Sequence, residues 1–127
     1  MKLKAIHHLA IICSDYQVSK HFYTEILGLT IVCETFRAER NSYKLDLDLN
    51  GVQLELFFFF NPPLRPSYPE ARGLRHLAFS VDNIDAYVKY LESHQIKVEP
   101  IRIDELTGKH FTFFADPDGL PLELYEM

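Results

Sequence analysis

Arg75-His76-Leu77-Ala78-Phe79-Ser80-Val81-Asp82-Asn83 is the second copy of a phrase that the chain has already used once. The first copy is His7-His8-Leu9-Ala10-Ile11, running on to Asp15, and it aligns His8 with His76. Two further echoes fall at the same offset as that histidine pair: Leu54-Glu55-Leu56-Phe57 returns as Leu122-Glu123-Leu124-Tyr125, and Asn50-Gly51 returns as Asp118-Gly119. Repetition at one register, carrying a His and a Glu each time, predicts a duplicated unit whose repeated polar residues face one site.

Working outward from these anchors, each half reads as strand, helix, strand, strand, strand. Residues 5–13 are nearly all apolar, which suits a strand buried on both faces. Strand alternation sets His8 on the face of Ala10, a small neighbour that leaves room for a ligand. Asp15 is the expected N-cap of a helix of about three turns with Val18, Phe22 and Ile26 on its buried stripe, stopped by Gly28. Strands are expected near 29–36, 42–49 and 52–60, the last two joined at Asn50-Gly51, a strong hairpin signal. In the last strand Glu55, Phe57 and Phe59 share one face, and Phe58 and Phe60 are expected to point the other way, into packing.

Residues 61–73 hold four of the seven prolines, so this stretch is a linker between module one (1–60) and module two (74–127) of a single domain. In module two a strand at 74–81 again puts His76 on the face of Ala78. Asp82 is the expected cap of a helix with Ile84, Val88 and Leu91 buried. Strands should follow near 96–103, 109–115 and 120–126, with Pro121 marking either an edge strand or a strand that starts one residue late.

Composition sets the broad class. Net charge is −5 and charged residues are 24% of the chain, so no basic face recommends a nucleic-acid partner. No apolar run approaches the ~18 residues of a membrane span, and the N-terminus turns polar at His7 too soon for a signal peptide. Cys13 and Cys33 lack the density of a disulfide scaffold and read as reduced thiols of a cytoplasmic protein.

The chemistry lies in the repeated residues. Glu55 and Glu123 are each flanked by leucines, and a carboxylate in a buried strand is costly unless a charge or a metal meets it. Taken singly, each His or Glu is better read as an ordinary core or surface residue. Taken as a symmetric set, imidazole and carboxylate suit one borderline divalent ion: zinc, nickel, cobalt, iron or manganese.

From residue 5 to 126 the chain resembles the vicinal oxygen chelate superfamily, and within it the glyoxalase I-type proteins. The resemblance rests on His8-Leu-Ala-Ile with Asp15, Phe22-Tyr23 and Leu27-Gly28, on His76-Leu-Ala-Phe-Ser-Val-Asp, and on Asp116-Pro-Asp-Gly with Leu-Glu123-Leu. It implies an α+β fold of two tandem βαβββ modules forming a cupped, barrel-like mixed sheet around a metal site. It also implies His8, Glu55, His76 and Glu123 as ligands, a small-molecule substrate and a homodimer. Glu at position 55 leans toward the glyoxalase-like branch. Glutathione-binding members carry an Arg four residues after the first His and an Asn four after the first Glu; here these positions are Ile12 and Phe59. The implied reaction is lyase or isomerase chemistry beside a carbonyl, with Glu123 as the base and Glu55 as the second catalytic carboxylate. The alternatives are other chemistry of the superfamily, such as epimerase or dioxygenase, or a non-catalytic small-molecule or antibiotic-binding protein. Arg37, Arg40, Lys44 and Lys109 are candidates for an anionic substrate group, as are Arg65, Arg72 and His110, with Phe57 and Phe59 as an apolar wall.

Overall fold

The computed structural model describes all 127 residues, Met1–Met127. The chain divides into two compact units, Met1–Pro63 and Leu64–Met127. The first runs β1 (His8–Cys13), α1 (Tyr16–His21), β2 (Thr30–Arg37), β3 (Ser42–Leu49) and β4 (Val52–Phe58). The second runs β5 (Leu77–Val81), α2 (Ile84–Ser93), β6 (Arg102–Ile103), β7 (His110–Ala115) and β8 (Pro121–Glu126). Each unit is therefore one βαβββ module, and the fold is α+β.

Each module builds its own four-stranded mixed sheet, in the order β1-β4-β3-β2 and β5-β8-β7-β6. The first strand of each module lies parallel to the last, and the remaining neighbours are antiparallel. The parallel pair requires a crossover, which is where the helix sits. The β3–β4 hairpin closes at Asn50 and Gly51, both at positive φ (50° and 89°), as a primed turn demands.

One face of each sheet is its core. Leu45, Leu47, Leu54 and Leu56 pack there in the first unit with Tyr16, Phe22 and Tyr23, and Ile84, Leu91, Leu122, Leu124 and Phe114 in the second. Burying side chains of this size stabilises each unit by ~1.5–3 kcal/mol per residue before conformational entropy is counted.

Several local expectations need correction. β1 is an edge strand buried on one face: His8, Ala10 and Ile12 are exposed. Val18 is 50% exposed, because α1 turns Tyr16 and Ser19 inward instead and then widens into a π-helical turn over Phe22–Ile26. Phe22 and Tyr23, three and four residues after Ser19, are both in the core. The cap of α2 is Asn83, whose side chain accepts from the Ala86 amide at 2.9 Å, and not Asp82. Asn83 takes the place in the second copy that Asp15, the cap of α1, takes in the first, so the repeat itself carried the signal. The strand near 96–103 shrinks to Arg102–Ile103. Phe60 is 81% exposed because β4 ends at Phe58. Pro121 opens β8, an interior strand, at the one place where a missing amide breaks no ladder. Residues 64–73 fold with the second unit, where Arg65 Nη2 donates to the carbonyls of Leu74 and Arg75.

Candidate metal and substrate site

The face opposite each core carries the candidate chemistry. In the first unit, register places Ala10 beside Glu55 and Asp46 on its other side, with Lys44 beside Phe57 in the next row. In the second unit Ala78 lies beside Glu123 and Phe113 on its other side. A small alanine at the flank of each glutamate keeps space open above it.

Both pairs of repeated residues meet within their own unit. His76 Nε2 stands 2.8 Å from Glu123 Oε2, and His8 Nδ1 stands 3.7 Å from Glu55 Oε2. Two donors each about 2.1 Å from a shared ion stand roughly 3.0–3.4 Å apart; the His76–Glu123 pair is closer than that and the His8–Glu55 pair wider, so each lies near ligand spacing and neither is at it. Imidazole with carboxylate is also the donor chemistry that a borderline divalent ion takes. Each cluster stops at two, however: no group of three or more His, Cys, Asp or Glu side chains is placed to hold a metal.

The surroundings of the two carboxylates differ. The Glu55 side chain is 8% exposed and has two neighbours besides His8. Gln53 donates to Oε2 at 3.0 Å, and Lys44 Nζ lies 3.6 Å from Oε1. Lys44 Nζ is closer still to Asp46 Oδ1, at 3.0 Å, an ion pair by distance that lacks the angles of a hydrogen bond. Asp46, and then Glu55, hold the Lys44 ammonium above its ordinary range. Glu123 has no such cation. The His76 ring meets Phe113 edge-on, with centroids 5.0 Å apart, and its buried Nδ1 has no hydrogen-bond partner, so Nε2 is the nitrogen with a polar neighbour.

The candidate substrate contacts separate into two groups. Arg37, at the end of β2, lies over the Phe57 ring with Cζ 5.3 Å from the centroid. Phe57 in turn is stacked on Phe59 with centroids 6.0 Å apart and planes 7° from parallel. Arg40 and Lys109 are exposed and outside the strands. His110 turns away from the Glu123 face and meets Glu126 at 3.4 Å. Ile12, where glutathione-binding members have Arg, is 54% exposed on the His8 face.

Sequence reasoning did not assign roles to Gln53 or Asp46, although the strand period puts Gln53 on the Glu55 face. It also missed the network in the second unit that joins the Tyr125 hydroxyl to Thr107 and, at 3.0 Å, to Asp104 Oδ2. Asp104 also accepts from the Leu106 amide, and the amide and the Tyr125 hydroxyl together hold its carboxyl below the usual range. A composition of loop residues gives no hint of that pairing.

Residues 5–124 match the sequence pattern of the glyoxalase/bleomycin resistance protein/dioxygenase superfamily. The chain belongs to that superfamily. It is 64% identical over 125 residues to the "Uncharacterized protein YaeR" of Escherichia coli, covering 98% of this chain and 97% of that one. It is 61% identical to the "Uncharacterized protein YwkD" of Bacillus subtilis, over 99% of both chains. The crystal structure of a glyoxalase family protein from Enterococcus faecalis superposes with a TM-score of 0.92 at 53% identity, covering 99% of this chain and all of that one. More distant superfamily relatives have different activities in their names. They are a lactoylglutathione lyase of Schizosaccharomyces pombe (30% identical, 98% of this chain, 48% of that protein) and a 2-epi-5-epi-valiolone epimerase of Actinomyces (28%, 97% and 79%).

Proposed function

We propose that this superfamily member is a divalent-metal-dependent lyase or isomerase that moves a proton at a carbon beside a carbonyl. In this reading His8, Glu55, His76 and Glu123 hold one ion, within one chain or across two copies. Its main support is that each unit, by itself, sets an imidazole nitrogen next to a carboxylate oxygen at equivalent positions of the repeat. Both pairs lie on the face opposite the core, where packing of the leucines does not require them. A bound divalent ion supplies Lewis-acid polarisation of the substrate carbonyl.

The residues of the chain do the rest. Glu123 is the principal base: it is 13% exposed, has Phe113 and Ala78 beside it in the sheet, and has no cation holding its charge. A carboxylate so placed can take a proton from the substrate carbon and return it to an adjacent position. The edge of Phe113 restricts the His76 ring beside Glu123. Glu55 is the second acid-base group, with Gln53 donating to its Oε2 and Lys44 Nζ 3.6 Å from its Oε1. Removal of the proton by Glu123 and delivery of one to the opposite face of the same carbon, by Glu55, gives epimerisation, whereas return to the neighbouring atom gives isomerisation, so the arrangement serves either outcome.

Glutathione is not the expected co-substrate. Ile12 and Phe59 take the positions of the guanidinium and amide that hold it in glutathione-binding members, and one such charge-assisted contact is worth a few kcal/mol, or roughly 100-fold in affinity.

Metal analysis of the purified protein tests the reading. About one divalent ion per set of four ligands is expected, lost in large part in His76→Ala and in His8→Ala. Equal metal content in wild type and both variants would refute the ligand set. Metal-loaded protein is expected to turn over the methylglyoxal–glutathione hemithioacetal poorly, and efficient conversion overturns the thiol part alone.

A further inference from the structure

Arg37 is the one strongly basic side chain on the Glu55 face that the fold leaves without a counter-charge. Its Nε and Nη2 are both buried and neither has a hydrogen-bond partner. No carboxylate lies within ion-pair distance of it, whereas Lys44, on the same face, is engaged by Asp46 and Glu55. A buried guanidinium edge that has lost water and gained no acceptor is unfavourable by itself. In a native fold such a group marks a place where an acceptor from outside the chain, a ligand, an ion or an ordered water, completes the bonding.

The two orphaned atoms define what that acceptor is. Nε–H and the neighbouring Nη2–H form one edge of the planar guanidinium and point the same way, a fork that matches the two oxygens of a carboxylate. Phe57 fixes the plane: Cζ lies 5.3 Å from its ring centroid, and the ring is backed by Phe59 in a parallel stack. Phe57 also stands two residues from Glu55 on the same strand face, about 6.7 Å along the strand. A ligand that engages the fork would thus lay an apolar body along Phe57 with its other end toward Glu55.

We infer that Arg37 binds a carboxylate side-on, with Phe57 as the apolar floor, and that the substrate is a small organic acid and not a neutral carbonyl compound. The binding step stands on the first unit alone; reading the bound acid as substrate rests on the function proposed above.

The test uses two isosteric probes, benzoate and benzamide, titrated into metal-free, full-length protein and followed by NMR at the Arg37 Nε–H and the Phe57 amide. Benzoate is expected to shift both signals, and benzamide is expected to bind at least about tenfold more weakly. Arg37→Lys keeps the charge and loses the fork, and should weaken benzoate about tenfold while leaving amide dispersion and the urea midpoint near wild type. Arg37→Gln should abolish the shift. Equal binding of benzoate and benzamide, or undiminished benzoate binding in Arg37→Lys and Arg37→Gln, overturns the inference. Response to inorganic phosphate in place of benzoate overturns the carboxylate assignment. Benzoate binding in a protein that takes up no divalent ion would leave this subsite standing and sink the metal reading. A protein that takes up metal and ignores benzoate would do the reverse.

Discussion

Lys44 Nζ lies 3.6 Å from Glu55 Oε1, while Glu123, the counterpart of Glu55 in the second copy of the repeat, has no cation beside it. The repeated carboxylates are thus alike in sequence and unlike in charge environment. An ammonium next to a ligand carboxylate competes with a metal ion for the same negative charge. Lys44→Met should therefore tighten zinc binding by a few-fold, measured by competition with a chelating dye. Weaker binding in this variant would mean that Lys44 supports the Glu55 arrangement instead of opposing it.

The two helix caps make a matched pair. Asp15 Oδ1 accepts from the Val18 amide at 3.1 Å, and Asn83 Oδ1 accepts from the Ala86 amide at 2.9 Å. Asp15→Ala and Asn83→Ala should each cost about 1 kcal/mol of stability in urea denaturation. Asp82→Ala, one residue from the cap, should cost little. A larger loss in Asp82→Ala than in Asn83→Ala would contradict the capping geometry.

Glu126 ties β8 to the start of α2. Its Oε2 accepts from the Ile84 amide at 2.9 Å, and His110 Nδ1 lies 3.4 Å from Oε1. The Ile84 amide first, and then His110, hold the Glu126 carboxyl below its ordinary range. A folded-state value below the unfolded one means stabilisation that is complete above the unfolded value and is lost as pH falls through the folded one. Glu126→Gln should thus be less stable than wild type at pH 7. The gap should narrow once pH drops below about 4.3 and close in more acidic solution. Urea midpoints across that range provide the check, and a gap that stays constant down to pH 3 would remove Glu126 as its source.

A homodimer is the expected assembly. The exposed apolar side chains Ile31, Val32 and Phe36 lie along β2, the edge strand of the first sheet, and exposed apolar surface of this kind favours contact with another chain. Sedimentation equilibrium at micromolar concentration should give twice the chain mass, and Val32→Glu should shift the protein toward monomer. A wild-type monomer under those conditions would refute it.

Much of this protein is legible in its sequence because the repeat states everything twice. The single offset that carries His8 onto His76 and Glu55 onto Glu123 fixes the βαβββ order, and strand alternation sets Glu55 with Phe57 and His8 with Ala10 on their faces. These are local facts: a period of two decides which side of a sheet a residue occupies, whatever lies above it. Asn50-Gly51 closes its turn for an equally local reason, since positive φ is needed there.

Other features depend on neighbours that the sequence does not place. Whether β1 is buried on one face or two depends on what packs on each side of its sheet, and its apolar run reads the same either way. The buried stripe of α1 runs through Tyr16 and Ser19 and leaves Val18 exposed, a choice made by packing against the sheet. Lys44 and Arg37 look equivalent as cations in sequence. Tertiary structure alone separates them, because β3 sets Lys44 next to Asp46 and Glu55 while the end of β2 buries the Arg37 fork with nothing to accept from it. Charge type is written in the chain, but the partner of a charge is set by strand register, and register exists only once the sheet has formed.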